Sequence, residues 1–355
     1  MPLRSHARAH AHRSLDEFGL IKELHRRFGQ TDRAVTCGIG DDAAAIRLTA
    51  RQTLLVTTDL LAEHIHFDCA TATFRDIGYK AAVANLSDIA AMGGTPKFLV
   101  IAVAIPPSKT QSDIMQLYSG LMAACRPHGV ALVGGDTSAS EQDLFLSITM
   151  MGRVPTGYAL RRDGARAGDH LYVTGTLGDS LAGLKLLTAG RSRRSQSLSE
   201  ARLSPRATAY LIGRHLRPTP RIQEAQELSR RRIATATMDI SDGLSGDLVH
   251  LCEQSGVGVE IETAALPLSP ACRQYAAARG MDATHLALRG GEDYELLVTV
   301  SPKQNAALHR LMRKTGYRLS RIGTIRPRSF GRRLRTPSGA VRPLPVFSYR
   351  HFQNA

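Results

Sequence analysis

Tryptophan is absent from the 355 residues and aromatics make up only 5% of them, too few to interleave as the stacking platforms that single-stranded nucleic acids use. No apolar run approaches the ~20 residues that span a bilayer. The longest, FLVIAVAI from Phe98 to Ile105, stops at Pro106-Pro107 and reads as a buried strand. No apolar leader core follows the first residues, so the expectation is a cytoplasmic protein. The five cysteines, Cys37, Cys69, Cys125, Cys252 and Cys272, are odd in number, scattered and never in a Cys-x-x-Cys pair. That spacing argues against a disulfide framework or a thiolate zinc site and fits a reducing compartment. Also missing are the Gly-x-x-x-x-Gly-Lys-Ser/Thr loop, the protein-kinase His-Arg-Asp and Asp-Phe-Gly pair, and a dinucleotide fingerprint between strand and helix.

Charge of one sign is in excess, with 46 Lys and Arg against 31 Asp and Glu and a net charge of +15. Much of the surplus lies in three peripheral stretches, LRSHARAHAHR near the start, GRSRRSQSLSEARLSPR at Gly190 to Arg206, and RPRSFGRRLR near the end. Such a distribution bears on solubility and non-specific association before it bears on a specific nucleic-acid role. Residues 1–13 are expected to be a disordered basic extension and the second stretch an exposed loop.

With 43% hydrophobic and 22% charged residues, the chain is ordinary globular protein, long enough for two domains of ~100–200 residues. SLDEFGLIKELHRRFG carries Phe18, Ile21, Leu24 and Phe28 at helical spacing, with Ser14 as N-cap. TLLVTTD, FLVIAVAI, VALVGGD and LFLSITMMGRV read as strands, separated by the helical FRDIGYKAAVANLSDIAAMG and QSDIMQLYSGLMAACRPHG. A second alternating set follows residue 155, including HLYVTG, GDSLAGLKLLTA, ATATMDI, SDGLSGDLVHLCEQSG, YELLVTV and YRLSRIGTI. The pattern favours two α/β domains, 14–155 and 156–355, with the boundary near Val154 to Leu160.

GIGDDAAAI, Gly38 to Ile46, sets Asp41 beside Asp42 behind a glycine. A solvated turn accounts for that pair on its own. Acids recur, however, where strands are expected to end: Asp59 after LLVTT, Asp136 after VALVGG, and Asp239 and Asp242 in MDISD, with Asp88 added from a helix. One such aspartate is ordinarily a helix cap. Five of them, together with the hydroxyls of Thr57, Thr58 and Ser241, form the hard oxygen donor set expected for Mg2+. Several Mg2+ ions acting on a small substrate point to phosphoryl transfer.

In chain order, GIGDDA, TTD, NLSDIAAMG, GGDT, VTGTLGDS, RPTPR, MDISDGL and GGEDYEL resemble the thiamine-monophosphate kinase family. The resemblance runs from about Phe18 to Phe352, apart from the N-terminal extension and the basic loop after Gly190. It implies the aminoimidazole-ribonucleotide-synthetase-like fold, with an N-terminal α/β domain whose sheet pairs with that of a second subunit and a C-terminal α/β domain closing over the nucleotide. It also implies ATP-dependent phosphorylation of thiamine monophosphate to thiamine diphosphate by a homodimer using several Mg2+ ions, without membrane or nucleic acid. The family's metal ligands fall on Asp42, Thr57, Thr58, Asp59, Asp88, Asp136, Asp239 and Asp242, of which Asp42, Asp59, Asp136 and Asp239 carry the catalytic expectation. Nucleotide contacts fall on Gly135, Asp136, Arg162, Ser241 and Tyr118, and acceptor contacts on His66, Glu292 and Tyr349.

Two departures stand out. Ser348 replaces the glycine of the family's Gly-Tyr-x-His-Phe ending, and His64 precedes His66 in EHIHF. Relatives with the same fold remain as alternatives. One is aminoimidazole-ribonucleotide synthetase; another is selenophosphate synthetase, for which Cys37 stands near the N-terminus. The hydrogenase-maturation dehydratase ends in a reactive cysteine that HFQNA lacks. From a different class, a non-catalytic metal or nucleic-acid binding protein would explain the charge but not the carboxylate series.

Overall fold

The structure, a computed structural model, describes residues 17–28, 32–189 and 203–347. The basic extension, most of the loop after Gly190, Ser14 and Tyr349 lie outside the described residues. Helix α1 (Glu17–Phe28) comes first; Ile21 and Leu24 of its apolar stripe remain exposed in the single chain. Six strands then build the first sheet: β1 (Val35–Cys37), β2 (Ala44–Arg47), β3 (Gln52–Ala62), β4 (Thr95–Ile105), β5 (Ala131–Ala139) and β6 (Phe145–Pro155). Their order is β1-β2-β3-β6-β4-β5, and only β4 and β5 run parallel.

One face of this sheet is covered and the other is not. Along β3, Leu55, Thr57 and Leu61 are buried while Leu60 between them is 60% exposed, the period-two alternation of a one-sided sheet. The covering layer is α2 (Phe74–Ala91), with α3 (Gln111–Cys125) lying along it. Thr73 caps α2 by accepting from the Asp76 amide, and Thr110 with Asp113 forms a reciprocal box on α3. The two helices approach until a Cβ on Gly78 would lie 1.9 Å from the Leu117 carbonyl oxygen, and one on Gly120 would lie 1.8 Å from that of Arg75. Only glycine permits that crossing.

The second sheet holds β7 (His170–Thr174), β8 (Ala234–Asp239), β9 (Val257–Glu262), β10 (Leu296–Val300), β11 (Leu319–Pro327), β12 (Arg332–Arg335) and β13 (Val341–Pro343), ordered β13-β12-β9-β11-β7-β10-β8. Around it stand α4 (Asp179–Ala189), α5 (Pro205–Leu216), α6 (Ile222–Arg230), α7 (Leu244–Ser255), α8 (Pro270–Ala278), α9 (Ala283–Arg289) and α10 (Asn305–Thr315). The two halves share a core. Leu86, Leu99 and Met150 belong to the same buried cluster as Leu228, Leu296 and Val298. Helix α2 lies at the junction, touching β3 and β6 on one side and β8, α5 and α6 on the other. It is therefore buried nearly all round, as its run of fully buried Ala81, Ala82, Val83, Leu86, Ile89 and Ala90 requires.

Antiparallel pairing dominates both sheets, with β9 and β12 the parallel pair of the second. One sequence expectation needs correction. The strands expected to end at Asp59 and Asp136 run on to Ala62 and Ala139. An acid within a strand is tolerated where its face is a cleft or open to solvent, so it does not mark the end.

Candidate active site between the two sheets

Asp239 ends β8, and β8 is tied to α2 by the Thr237 hydroxyl, which donates to the Ala91 carbonyl at 2.6 Å. That contact brings Asp239 beside the buried polar side of α2, where Ser87 donates to Asp239 Oδ2 at 2.7 Å. Asp88, next on the helix, accepts from the Thr57 hydroxyl of β3. Asp42 enters from the loop before β2. Carboxylate oxygens of Asp42, Asp88 and Asp239 all lie within 4.8 Å of one another. Asp59, on the same face of β3 as Thr57, adds a fourth acid, and its buried Oδ2 has no hydrogen-bond partner among the described residues.

Clustering these groups away from water is costly to their ionised forms. Burial, then the charges of Asp59, Asp239 and Asp42, hold the Asp88 carboxyl well above the ordinary range. Burial does the same to Asp239, with Asp42 adding to it, and pushes Asp59 up to about 6. The near counter-charge is Arg162, which donates from Nε to Asp42 Oδ2 at 3.1 Å and from Nη2 to Oδ1. Burial works against its proton, but Asp42 and Asp41 outweigh it and raise its pKa. An unpartnered carboxylate oxygen beside three mutually close acids and hard hydroxyls is the donor set of a divalent-cation site.

The adjacent aspartates of GIGDDA thus divide their work. Asp41 accepts from the amides of Asp42 and Arg162, at 2.9 and 3.2 Å, and from the Cys37 thiol at 3.6 Å, fixing the turn. Asp42 faces the cluster.

Two strand-end loops close the site from the C-terminal half. The Glu292 amide donates to the Ser241 carbonyl at 2.7 Å and the Tyr294 amide to that of Ile240 at 3.0 Å, locking GGEDYE onto MDISD. Glu292 and Tyr294 are both held at positive φ, 61° and 50°, uncommon for residues with a side chain, and both line the cleft. Asp293 between them turns inward and accepts from the amides of Gly178 and Ser180. A cavity of about 1050 Å³ opens here. Its lining includes the acids Asp59, Asp242 and Glu292, the bases Lys80 and His215, and the apolar Leu181, Met281, Leu286 and Phe347. Ser245 fixes Phe347 through both its amide and its carbonyl, and the Arg289 guanidinium lies 4.8 Å from the ring.

His66 lines this cavity and a smaller adjoining one of about 560 Å³. Its Nδ1 accepts from the Ala62 amide at 3.0 Å, which leaves the proton on Nε2. His64 also borders the cavity but is largely exposed, 3.7 Å from Asp143.

Four expected residues stand elsewhere. Gly135 and Asp136 lie on exposed β5, and Asp136 shares the uncovered face with Leu60, three strands and ~14 Å away. The structure gives Gly135 a packing reason, since a Cβ there would lie 2.1 Å from the Ile101 carbonyl oxygen. Tyr118 packs on α3 against the N-terminal core and does not line the cavity, and Thr58 turns to the uncovered face to donate to the Ile148 carbonyl. Lys80, His215, Tyr294 and the buried Asp247, which accepts from the Gly243 amide, were not singled out from sequence. Lys80 had a legible signal, a charge set among alanines on the helix stripe that carries Asp88.

The AIR synthase related protein N-terminal domain profile matches residues 40–154, and the C-terminal domain profile matches 166–333. The fold is thus that of the AIR synthase related proteins. Thiamine-monophosphate kinase of Salmonella typhimurium is 40% identical over 312 residues, 87% of this chain and 90% of that protein. That of Bacillus subtilis is 36% identical over 317 residues, 85% and 91% of the two chains. AaThiL, solved in complex with AMPPCP and TMP, superimposes with a TM-score of 0.80 at 34% identity, covering 95% of this chain and 97% of its own. The chain belongs to the thiamine-monophosphate kinase family.

Proposed function

We propose that the protein transfers the γ-phosphoryl group of ATP directly to the phosphate of thiamine monophosphate, giving thiamine diphosphate and ADP. One observation carries the reading: a divalent-cation donor set, Asp42, Asp88 and Asp239 with Asp59 beside them, adjoins a cavity that Asp59 also lines and whose wall carries both charged and apolar side chains. An anionic acceptor with a flat organic body fits that polarity. The acceptor phosphate is already an anion at neutral pH, its second pKa being ~6, so no general base is needed. The barrier lies in bringing two anions together.

Asp42, Thr57, Asp59, Asp88, Asp239 and Asp242 would hold Mg2+, which would supply charge neutralisation on the phosphates when bound. Arg162 lies against the same acids, where its planar fork suits a phosphate as well as it suits Asp42. Ser241 and Asp242 line the cavity, and His66, with its proton on Nε2, offers a donor to the acceptor. Glu292 supplies the negative charge that a thiazolium requires. Tyr349 is assigned to the acceptor by resemblance alone.

Gly135, Asp136 and Thr58 fit this reading through a second copy of the chain. Leu60, Phe98, Val133 and Phe145 make the uncovered face of the first sheet apolar, which is the kind of patch that marks an interface. A homodimer formed there would carry Asp136 of each copy toward the partner. A monomer by light scattering at micromolar concentration would contradict it.

The selenophosphate reading weakens at Cys37, whose thiol burial and Asp41 push up to about 11, away from a nucleophilic thiolate. A cytoplasmic location accords with five free cysteines. Among the described residues no helix is long and apolar enough to cross a membrane. The deciding experiment is ATP consumption by purified protein with thiamine monophosphate, thiamine, selenide or formylglycinamidine ribonucleotide. ADP formation that depends on thiamine monophosphate is expected, and its absence would overturn the proposal.

A further inference from the structure

On the cavity wall lies an ion pair whose buried lysine the reaction described above does not use. Lys80 is 4% exposed, and its Nζ is 2.5 Å from Glu292 Oε1. His215 sits on the other carboxylate oxygen, with Nδ1 3.5 Å from Glu292 Oε2 and 3.0 Å from the Ser180 hydroxyl. Burial and the nearby Lys80 charge drive its imidazole down to about 4, so His215 is neutral and Lys80 is the cation that answers Glu292. Asp76, also on the cavity wall, is already met by Arg217 at 2.6 Å.

The placement of Lys80 is set by the helix. Ile77, Lys80, Ala84 and Asp88 recur at helical spacing, and all but Asp88 line the main or adjoining cavity. At ~1.5 Å per residue, Lys80 and Asp88 stand about 12 Å apart along the axis. That span leaves room for a phosphate ester between the ammonium and the cation-binding acids. Glu292, at φ 61°, is held against the same space by its amide's hydrogen bond to the Ser241 carbonyl.

We propose that Lys80 binds the phosphate of the acceptor, and that the Lys80–Glu292 pair is exchanged, charge for charge, for the acceptor's two ends. This inference rests on the thiamine-monophosphate reading. That acceptor is cationic at its thiazolium and anionic at its phosphate. In the empty site the buried ammonium and the half-buried carboxylate neutralise each other. In the loaded site the ammonium turns to the phosphate and the carboxylate to the thiazolium, so no buried charge is stranded in either state. Thiamine, lacking the phosphate, has nothing to offer Lys80 once Glu292 is drawn away. The pair therefore selects for an acceptor carrying both charges.

The test combines steady-state kinetics with calorimetric binding of thiamine monophosphate and of thiamine without ATP, on wild type, Lys80→Met, Glu292→Gln and the double variant. Lys80→Met should lower kcat/KM for thiamine monophosphate by about ten- to a hundredfold, the range for a charged hydrogen bond. It should leave the KM for ATP unchanged and abolish the binding preference for thiamine monophosphate over thiamine. The double variant restores charge balance without restoring the phosphate contact, so it should remain as defective as Lys80→Met. Recovery of wild-type acceptor use in the double variant would reduce the pair to a structural plug and overturn the proposal. Unchanged discrimination between the two ligands in Lys80→Met would do the same. Should Lys80→Met fail to fold around its stranded carboxylate, the double variant carries the same comparison. A wild type inert toward thiamine monophosphate removes the parent reading as well, whereas an active wild type matched by Lys80→Met removes this inference alone.

Discussion

The protein buries two sets of acids, and they are treated in opposite ways. In the C-terminal half, Glu295 accepts from Arg221 at 2.6 Å through two nitrogens, from Arg214 at 2.9 Å and from Thr174 at 2.6 Å. Neighbouring Asp179 accepts from the Ser269, Thr176 and Tyr210 hydroxyls, and Asp293 from two amides at the start of α4. In the cleft, four carboxylates share chiefly Arg162 and the hydroxyls of Thr57 and Ser87, and one oxygen of Asp59 is left without a partner. Native folds satisfy nearly all buried polar groups. The satisfied set is scaffold, fixing the GGEDYE loop and α4; the unsatisfied set keeps oxygen donors open, as the proposed cation role requires.

The most severe test of that contrast exchanges one acid from each set. Asp88→Asn or Asp239→Asn should cut turnover by more than about 10³-fold, beyond the 10²–10³ typical of losing one stabilising donor, while the folded protein persists. Glu295→Gln leaves two arginines under-compensated and should destabilise the fold by about 3–5 kcal/mol, read as a lowered melting temperature with turnover per folded molecule retained. Equivalent phenotypes would erase the distinction.

Cation removal comes next in size. Chelation should abolish activity, and added Mg2+ or Mn2+ should restore it and raise thermal stability, by about 2.7 kcal/mol at a hundredfold excess over Kd. Full activity after thorough chelation would exclude the assignment of the cleft acids.

A subtler effect follows from pH. Burial raises Asp59 to about 6 and Asp293 to about 7, against ~3.9 for an unfolded aspartate. The folded state therefore binds more protons between pH ~4 and ~7, and the associated stability, present below ~4, is lost as pH rises through the folded pKa values. Metal-free protein should melt lower at pH 7.5 than at pH 5. Asp59→Asn or added Mg2+ should flatten the cleft's share, leaving that of Asp293; an unchanged slope in both would contradict the unsatisfied character of the cleft. The smallest expected contrast is between the two histidines: His66→Ala should raise the KM for thiamine monophosphate, whereas His64→Ala, directed at Asp143, should leave the kinetics unchanged.

Much of this was readable along the chain because it is local. Helices α2 and α3 follow from periodicity and from Thr caps, and the acids of MDISD and NLSD announce themselves by chemistry. What was not readable depends on pairing. Whether Asp59 and Asp136 face a cleft or an open surface is decided by strand register, in which one residue changes the face. Lys80 meets Glu292 across 211 intervening positions, and only the packing of α2 between both halves brings them together.

The uncovered face that carries Asp136 bears on how the protein would behave in dilute solution. If the proposed dimer divides the catalytic set between the cleft of one copy and the sheet of another, activity per chain becomes a function of concentration. Below the dissociation constant of the pair, each fully folded chain would hold an incomplete site, and total activity would fall with the square of protein concentration instead of in proportion to it.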